Sequence, residues 1–392
     1  MPRMKAIRAL RVRPEVLDPG KVICPPYDVI APKLHRQLLD HSPDNAVRWI
    51  LGDDPDATPD EDVYRGCGQA LRSALAQERL LKEERPSLYR YQVSYRDDSG
   101  ESEVLQGILA AVEVRPWGDG VLRHEEIRSD TLNRLVEQAR CTGVDAGVVM
   151  LTCEGLEKAL SETGVLDETG ELLFEASDWR GDVHCLRRID DPELVGQIES
   201  RLESIPAAVA DGHHRYTTAM TLAEDPEFPG ARLVLAFICD LHQPGLKIRP
   251  THRVWTWGPE KDIDSTQVRD RLVEALDDGE GDPWSIEVPG GEKVNLSCRQ
   301  DASRGTLARR LQDVIDEIGD LGAPSTPHQI EVGRKTLNES EKGVFCHLPP
   351  VGRGEFWTRV LAGEIFPSKT TFFEPKISTG LIARFFNEEH QR

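Results

Sequence analysis

One stretch alternates apolar and polar positions. Tyr89, Tyr91, Val93 and Tyr95 are set against Arg90, Gln92 and Ser94, and a return run follows over 104–114. A period of two is the mark of half-buried strands. Asp97-Asp98-Ser99-Gly100 between the runs predicts a hairpin turn. Apolar runs over 147–151, 207–210 and 231–240 read as strands, as does 183–189, and Thr251-His252-Arg253 open a further strand. Ile7 and Ala9 open a further strand that Pro14 breaks. Helical spacing is clearest at Val63, Cys67, Ala70, Leu71, Ala74 and Leu75. It recurs over 32–39, 131–140, 156–162, 191–204, and about 265–277 and 304–319, and the stretch from 260 to 340 alternates such helices with short strands. The two kinds of element interleave without a repeat, which predicts an α+β fold with mixed sheets. The expected segments are an N-terminal α/β part at 1–105, a middle part at 106–205 and a C-terminal part at 206–392.

The most chemically loaded junction is Ala-Ala-Val-Ala-Asp-Gly-His-His-Arg-Tyr, beginning at Ala207. A short apolar strand meets a helical pattern carried by Tyr216, Ala219, Met220 and Ala223. Asp211 is expected to cap that helix with its carboxylate, and Gly212 to permit a backbone turn that a Cβ would block. The start of a helix offers N–H donors and the positive end of a dipole. Adding His213, His214 and Arg215 gives a site suited to phosphate. A capped helix with two surface histidines is the plainer alternative.

Composition changes this picture in two ways. The formal net charge of −20 argues against general nucleic-acid binding, which relies on a basic surface. No apolar run approaches the ~20 residues of a membrane span, and the basic N-terminus lacks the apolar stretch of a secretory signal. The eight cysteines form no C-x-x-C pair, so reduced thiols in a cytoplasmic protein are expected.

Other candidates are spread along the chain. Pro25-Pro26 stiffens the segment that aims Tyr27 and Asp28, although Asp28 also suits a cap for the helix at 32–39. Asn45 and Arg48 are placed to reach a ligand. His124 and Glu125 follow a strand and suit acid–base work or ligation. Thr251, His252 and Arg253 form a second anion-facing group. Lys369 and Lys376 add cations, and Thr370 and Thr371 add hydroxyls. For each, a solvated surface position is the alternative.

Taken together, Pro25-Pro26-Tyr27-Asp28-Val29-Ile30, Asn45-x-x-Arg48, His124-Glu125, Asp211-Gly212-His213-His214-Arg215-Tyr216, Pro250-Thr251-His252-Arg253 and Lys369-Thr370-Thr371-Phe372-Phe373-Glu374-Pro375-Lys376 resemble a widespread bacterial and archaeal family known as a domain of unknown function. The likeness covers nearly the whole chain. Two stretches depart from the family pattern: Ile127 with Asn133-Arg134, where no catalytic role is expected, and Thr217-Thr218-Ala219. The Asp211–Arg215 box also resembles the nucleotide-binding box of the ParB/sulfiredoxin-like superfamily, which includes CTP-dependent partition proteins, sulfiredoxin and kinases of free serine. That resemblance implies a nucleotide-binding core within a composite active site, with Asp211, His213, His214 and Arg215 at the phosphates.

The expected activity is phosphoryl transfer between ATP or another nucleotide and a small hydroxy amino acid, serine or phosphoserine. Such transfer needs charge neutralisation and a carboxylate for the hydroxyl proton. Asp28, Glu125, Asp211, His213 and His214 are the candidate catalytic groups. Gly212, Arg215, Tyr216, Asn45, Arg48, Thr251, His252 and Arg253 are assigned to the nucleotide. Tyr27, His124, Lys369, Thr370 and Lys376 are assigned to the substrate, and Asp211 to Mg²⁺. A metal-dependent phosphatase using His124, His213, His214 and His252, and a nucleotide-dependent switch, are the alternatives. The partner is a small molecule, and the sequence does not indicate an oligomeric state.

Overall fold

Apolar strands build the larger part of the protein. The computed structural model describes residues 3–97, 99–167, 169–291, 293–299 and 306–386. Asp98 of the expected hairpin turn and positions 304 and 305 of the expected last helix lie outside these. The chain gathers into two units. The first takes the chain up to Arg123, Ile127–Leu246 and the segment from Pro375. The second takes His124–Glu126 and Lys247–Glu374. Of the segment ends expected from the sequence, residue 105 falls inside a strand and residue 205 just before one, both within the first unit.

The first unit holds a nine-stranded sheet in the order Val121–Leu122, Ala207–Asp211, Val149–Cys153, Leu233–Asp240, Ser102–Glu113, Leu88–Arg96, Val183–Ile189, Glu171–Ser177, with Met4–Lys5 also on Ser102–Glu113. Leu233–Asp240 runs parallel to Val149–Cys153 and antiparallel to Ser102–Glu113, so the sheet is mixed as expected. The central strand Leu233–Asp240 is buried almost throughout, which accounts for its uninterrupted apolar run. The residues just before it, Pro229–Arg232, form a 3₁₀ turn instead, because proline cannot donate to a strand ladder. The helices Glu61–Ala76, Ser129–Thr142 and Pro192–Leu202 lie where the periodicity predicts them.

Both ends of the chain are tied into this unit. Leu10 exchanges backbone bonds with Ala383, and Cys24 with Thr379. Asn45 locks the same region from inside. Its Nδ2 donates to the carbonyls of Lys21 at 3.0 Å and Ile23 at 3.3 Å, and its Oδ1 accepts from Val47 N–H at 3.0 Å. The expectation that Asn45 reaches a ligand is therefore corrected: every polar atom of this fully buried amide is bound to backbone.

The second unit has a four-stranded antiparallel sheet in the order Arg253–Trp257, Lys342–His347, Asp282–Glu287, Val294–Cys298. The helices Ser265–Leu276 and Leu307–Ile318 pack Leu272, Leu311 and Ile315 onto Trp255, Trp257 and Trp284. Two strands flank Thr251 and His252, and the second begins at Arg253, inside the Thr251–Arg253 group expected to open a strand. Lys247–Pro250 pairs with Thr371–Glu374, whereas Arg253–Trp257 pairs with Lys342–His347. The break falls after Pro250, and His252 N–H turns to the carbonyl of Pro327.

No helix among the described residues is long and apolar enough to cross a membrane. All eight cysteines are free thiols, and only Cys141 is not buried.

Replacing Asn45 with Ala removes three buried bonds. At about 1 kcal/mol each, urea denaturation should report a loss of about 2–4 kcal/mol. A loss below ~0.5 kcal/mol, the usual range for surface changes, would contradict the clasp.

Candidate functional site

The strand Ala207–Asp211 ends where the helix His213–Ala223 begins, and Gly212 makes the turn with φ of 95°. A Cβ at Gly212 would be strained by that angle and would meet Arg215 Cζ at 3.1 Å. Gly212 itself is the helix N-cap, with no side-chain bond to the helix. The expectation that Asp211 caps the helix is thus corrected. Two cations claim its carboxylate instead: Oδ2 accepts from Arg215 Nη2 and Oδ1 from Lys376 Nζ. Arg215 Nη1 donates to the carbonyl of Val148. Its stem lies against Gly147, where a Cβ would stand 3.0 Å from Arg215 Cδ.

Tyr27 and Asp28 form a 3₁₀ turn after Pro26. The following helix Pro32–His41 takes no side-chain cap, so Asp28 does not serve as one. Burial and then the charge of Asp28 push the Tyr27 hydroxyl up to about 12, against the pull of Arg215. Burial acts to lower the Arg215 pKa, yet Asp211, Asp28 and Tyr27 outweigh it and hold Arg215 above its usual value. The residues at 27–28, 211–215 and 376 are thus one electrostatic group. Arg134 belongs to its surroundings, since its field also reaches Tyr27.

Both histidines of the box are engaged. His213 is buried and stacks on Trp117, with ring centroids 6.2 Å apart. His214 Nε2 accepts the backbone N–H of Arg128 at 3.0 Å, which places the ring proton on Nδ1 when the ring is neutral. Tyr216 is fully buried. Its hydroxyl donates to the Arg115 carbonyl and accepts from the Arg115 N–H, each at 3.0 Å. That double clasp corrects the assignment of Tyr216 to the nucleotide. Arg48 pairs with Asp53.

The second unit assembles its own candidates. His124 is fully buried against Phe356, Phe366 and Phe373, and its Nε2 lies 2.8 Å from Thr371 Oγ1. The same hydroxyl lies 3.4 Å from Glu125 Oε1. Thr371 therefore links the pair, whereas Thr370 donates to the Pro367 carbonyl at 2.6 Å and is held by its own turn. This corrects the choice of Thr370. Arg253 is buried and donates to the carbonyls of Lys369 at 2.9 Å and Ser368 at 3.2 Å. Burial lowers its pKa to about 10, only partly offset by Glu125. It holds Lys369 in a left-handed conformation with φ of 58°, uncommon for a residue with a Cβ. Thr251 is buried, and its hydroxyl has no hydrogen-bond partner. His252 Nδ1 accepts from the Leu348 N–H at 3.1 Å, so His252 is a packed ring rather than an anion contact.

The metal assignments find little support. Both Asp211 oxygens carry a cationic side chain, which does not suit a carboxylate awaiting Mg²⁺. Among the described residues the one group of three metal-type ligand atoms is Asp97, Glu101 and Glu103, and no histidine belongs to it.

A family model for proteins of unknown function, DUF1015, matches residues 4–326. The chain belongs to that family. The matched span of this DUF1015 protein includes the Asp211–Arg215 box but ends before Lys369 and Lys376. None of the curated proteins compared with it matches in sequence. Three solved structures are similar to it at low superposition scores. A conserved hypothetical protein from Pyrococcus furiosus is 17% identical, with 70% of this chain and 95% of that chain covered and a TM-score of 0.38. A free serine kinase in complex with AMP is 15% identical, with 70% and 92% covered and a TM-score of 0.38. SbnI from Staphylococcus aureus, C-terminally truncated, is 13% identical, with 69% and 85% covered and a TM-score of 0.41.

Several residues of this DUF1015 protein were not legible as neighbours of its candidate sites. Trp117, Arg128 and Val148 contact the box from separate segments. His347 lies beside His252, with ring centroids 5.7 Å apart. Burial first, then neighbouring positive charge, lowers His252 to about 4. Burial lowers His347 to about 4 against the pull of Glu287, whose Oε1 is 3.1 Å from Nε2. A histidine depressed on folding stabilises above its unfolded pKa of ~6.5 and loses that contribution as pH falls towards the folded value. Urea stability should therefore fall between pH 7 and pH 5, a window in which Glu287 stays ionised. His347→Gln should flatten that slope, and an unchanged slope in the variant would contradict the assignment.

Proposed function

We propose that this DUF1015 protein is a nucleotide-dependent phosphotransferase acting on a small hydroxy amino acid, serine or phosphoserine, through a ParB/sulfiredoxin-like nucleotide-binding core. The observation that carries the reading is the Asp211 carboxylate held between Arg215 and Lys376 at the mouth of a helix. Folding places the positive end of the helix His213–Ala223 beside two cations that share one carboxylate. Arg134 adds positive field, and Asp28 and Asp211 are the balancing carboxylates. The sum favours a compact anion of several charges, as a polyphosphate is.

Each group then has a task. Gly212 lets the backbone turn so that the helix start faces the phosphates. Asp211 fixes the Arg215 guanidinium and the Lys376 ammonium, so neither must reorganise as charge shifts in the transition state. Asp28 is exposed and lies within the field of Arg215, which suits it to take the proton from the attacking hydroxyl. The phosphorus–oxygen bond to the nucleotide breaks as the bond to that hydroxyl forms, and the cations hold the charge released. His214, its ring oriented by the Arg128 amide, contributes from the second position of the helix.

The test is phosphorus NMR of the purified protein with ATP and serine, and in reverse with phosphoserine and ADP. Serine-dependent loss of the ATP γ-signal with growth of phosphoserine is expected. His214→Ala and Lys376→Ala should each lower kcat/KM roughly 10²-fold or more, the scale of removing one preorganised charge-stabilising group, while each variant keeps a cooperative melting transition. No serine-dependent turnover in the parent, or full activity in Lys376→Ala, would contradict the proposal.

A further inference from the structure

The first unit contains a cavity of about 90 Å³ to which the proposed function assigns no role. One water needs ~10–15 Å³ in the same measure, so the space holds roughly six to nine water-sized groups. That is the scale of one purine or pyrimidine ring system and too small for a whole nucleoside. Its wall is mainly apolar and includes Tyr27, Trp49 and Leu135, and Arg215 forms one side. Arg215 is also the residue locked onto Asp211, so cavity and box share a wall.

Of the polar residues in the lining, Thr142 and Thr218 turn their hydroxyls to the carbonyls of Ala139 and His214 in their own helices, whereas Gln138 and Asp145 offer acceptors. Gln138 lines the cavity and donates its Nε2 to the Ile50 carbonyl at 2.6 Å, leaving Oε1 as the atom it can present. Asp145 also lines it. Its Oδ2 accepts from Leu235 N–H at 2.9 Å and from Arg384 Nε at 3.2 Å, leaving Oδ1. Burial raises the pKa of this carboxylate, and the Arg384 guanidinium and the Leu235 amide work against that shift and fix its orientation. An apolar slot with aromatic walls and two acceptors selects a flat ring that carries hydrogen-bond donors.

We propose that this cavity receives the base of a nucleotide bearing an exocyclic amino group, of adenine or cytosine type, with Asp145 and Gln138 accepting from it and Arg215 standing between base and phosphates. The proposal rests on the reading of the Asp211–Arg215 box as a phosphate site.

Calorimetric titration of the full chain with tripolyphosphate, ATP, adenosine and inosine separates the two ideas. ATP should bind at least tenfold tighter than tripolyphosphate, and adenosine at least fivefold tighter than inosine. Leu135→Trp, which fills the slot, should bring ATP down to the tripolyphosphate level. The ligand series on the unaltered chain decides the matter even if that variant folds poorly. ATP and tripolyphosphate binding equally would overturn the base site and leave the phosphate site standing. Adenosine binding without tripolyphosphate binding would support the cavity and overturn the phosphate reading. Equal binding of adenosine and inosine would overturn the role of the two acceptors, and no binding by any of the four would overturn both ideas.

Discussion

The account depends on one carboxylate. Asp211 lies at the end of a buried strand and holds Arg215 from the next turn of chain and Lys376 from 165 residues further on. A carboxylate with two charge-assisted bonds is strongly fixed, and here it fixes two cations in return. Breaking a buried pair from one side leaves an uncompensated charge. Every other feature of the box follows from this constraint. Gly212 suits its place because φ is 95° and a Cβ there would crowd the Arg215 guanidinium at 3.1 Å, and a Cβ at Gly147 would crowd the arginine stem at 3.0 Å. Tyr27 and Asp28 feel Arg215 because the clasps at Cys24–Thr379 and Asn45 hold their segment in place.

That arrangement explains what the sequence revealed and what it concealed. The strand Leu88–Arg96 was legible because its second half alternates buried and less buried positions, which imprints a period of two, while Ser102–Glu113 is buried on both faces over its second half and reads as an apolar run. The Asp211–Arg215 box was legible as a strand-to-helix turn because Gly212 and the apolar run before it are local signals. The partner of Asp211 was not. A lone aspartate before a helix looks like a cap, and only the fold shows that Arg215 and Lys376 compete for it. Asn45 carried the same ambiguity: a polar residue in an apolar segment reads as a ligand contact until its three backbone partners are seen. Thr370 and Thr371 are adjacent and chemically alike, so nothing local told the turn hydroxyl from the one that joins His124 and Glu125. Arg128 and Arg134 sit where the chain departs from the family pattern, yet one binds His214 through its backbone and the other adds its field at Tyr27.

The second unit shows a different economy of charge. Among the described residues Arg253 makes no direct contact with a carboxylate; its guanidinium bonds four backbone carbonyls, among them Ser368 and Lys369. Burial without an ion pair is what draws its pKa down. The same bonds keep Lys369 in a backbone conformation it would rarely choose, so Arg253 positions a second lysine much as Asp211 positions the first. His124 is enclosed by phenylalanine rings, with the Thr371 hydroxyl 2.8 Å from its Nε2. These are arrangements in which long-range packing sets the chemistry of each side chain, and residue type alone foretells little of it.

The most direct measurement of the central claim is a crystal structure of the protein with ADP and serine. The account predicts the diphosphate at the start of the helix His213–Ala223, within hydrogen-bond reach of the Lys376 ammonium and the His214 ring, with the Asp211–Arg215 pair intact. A nucleotide bound elsewhere, with the box unchanged and Lys376 making no contact with the diphosphate, would contradict it.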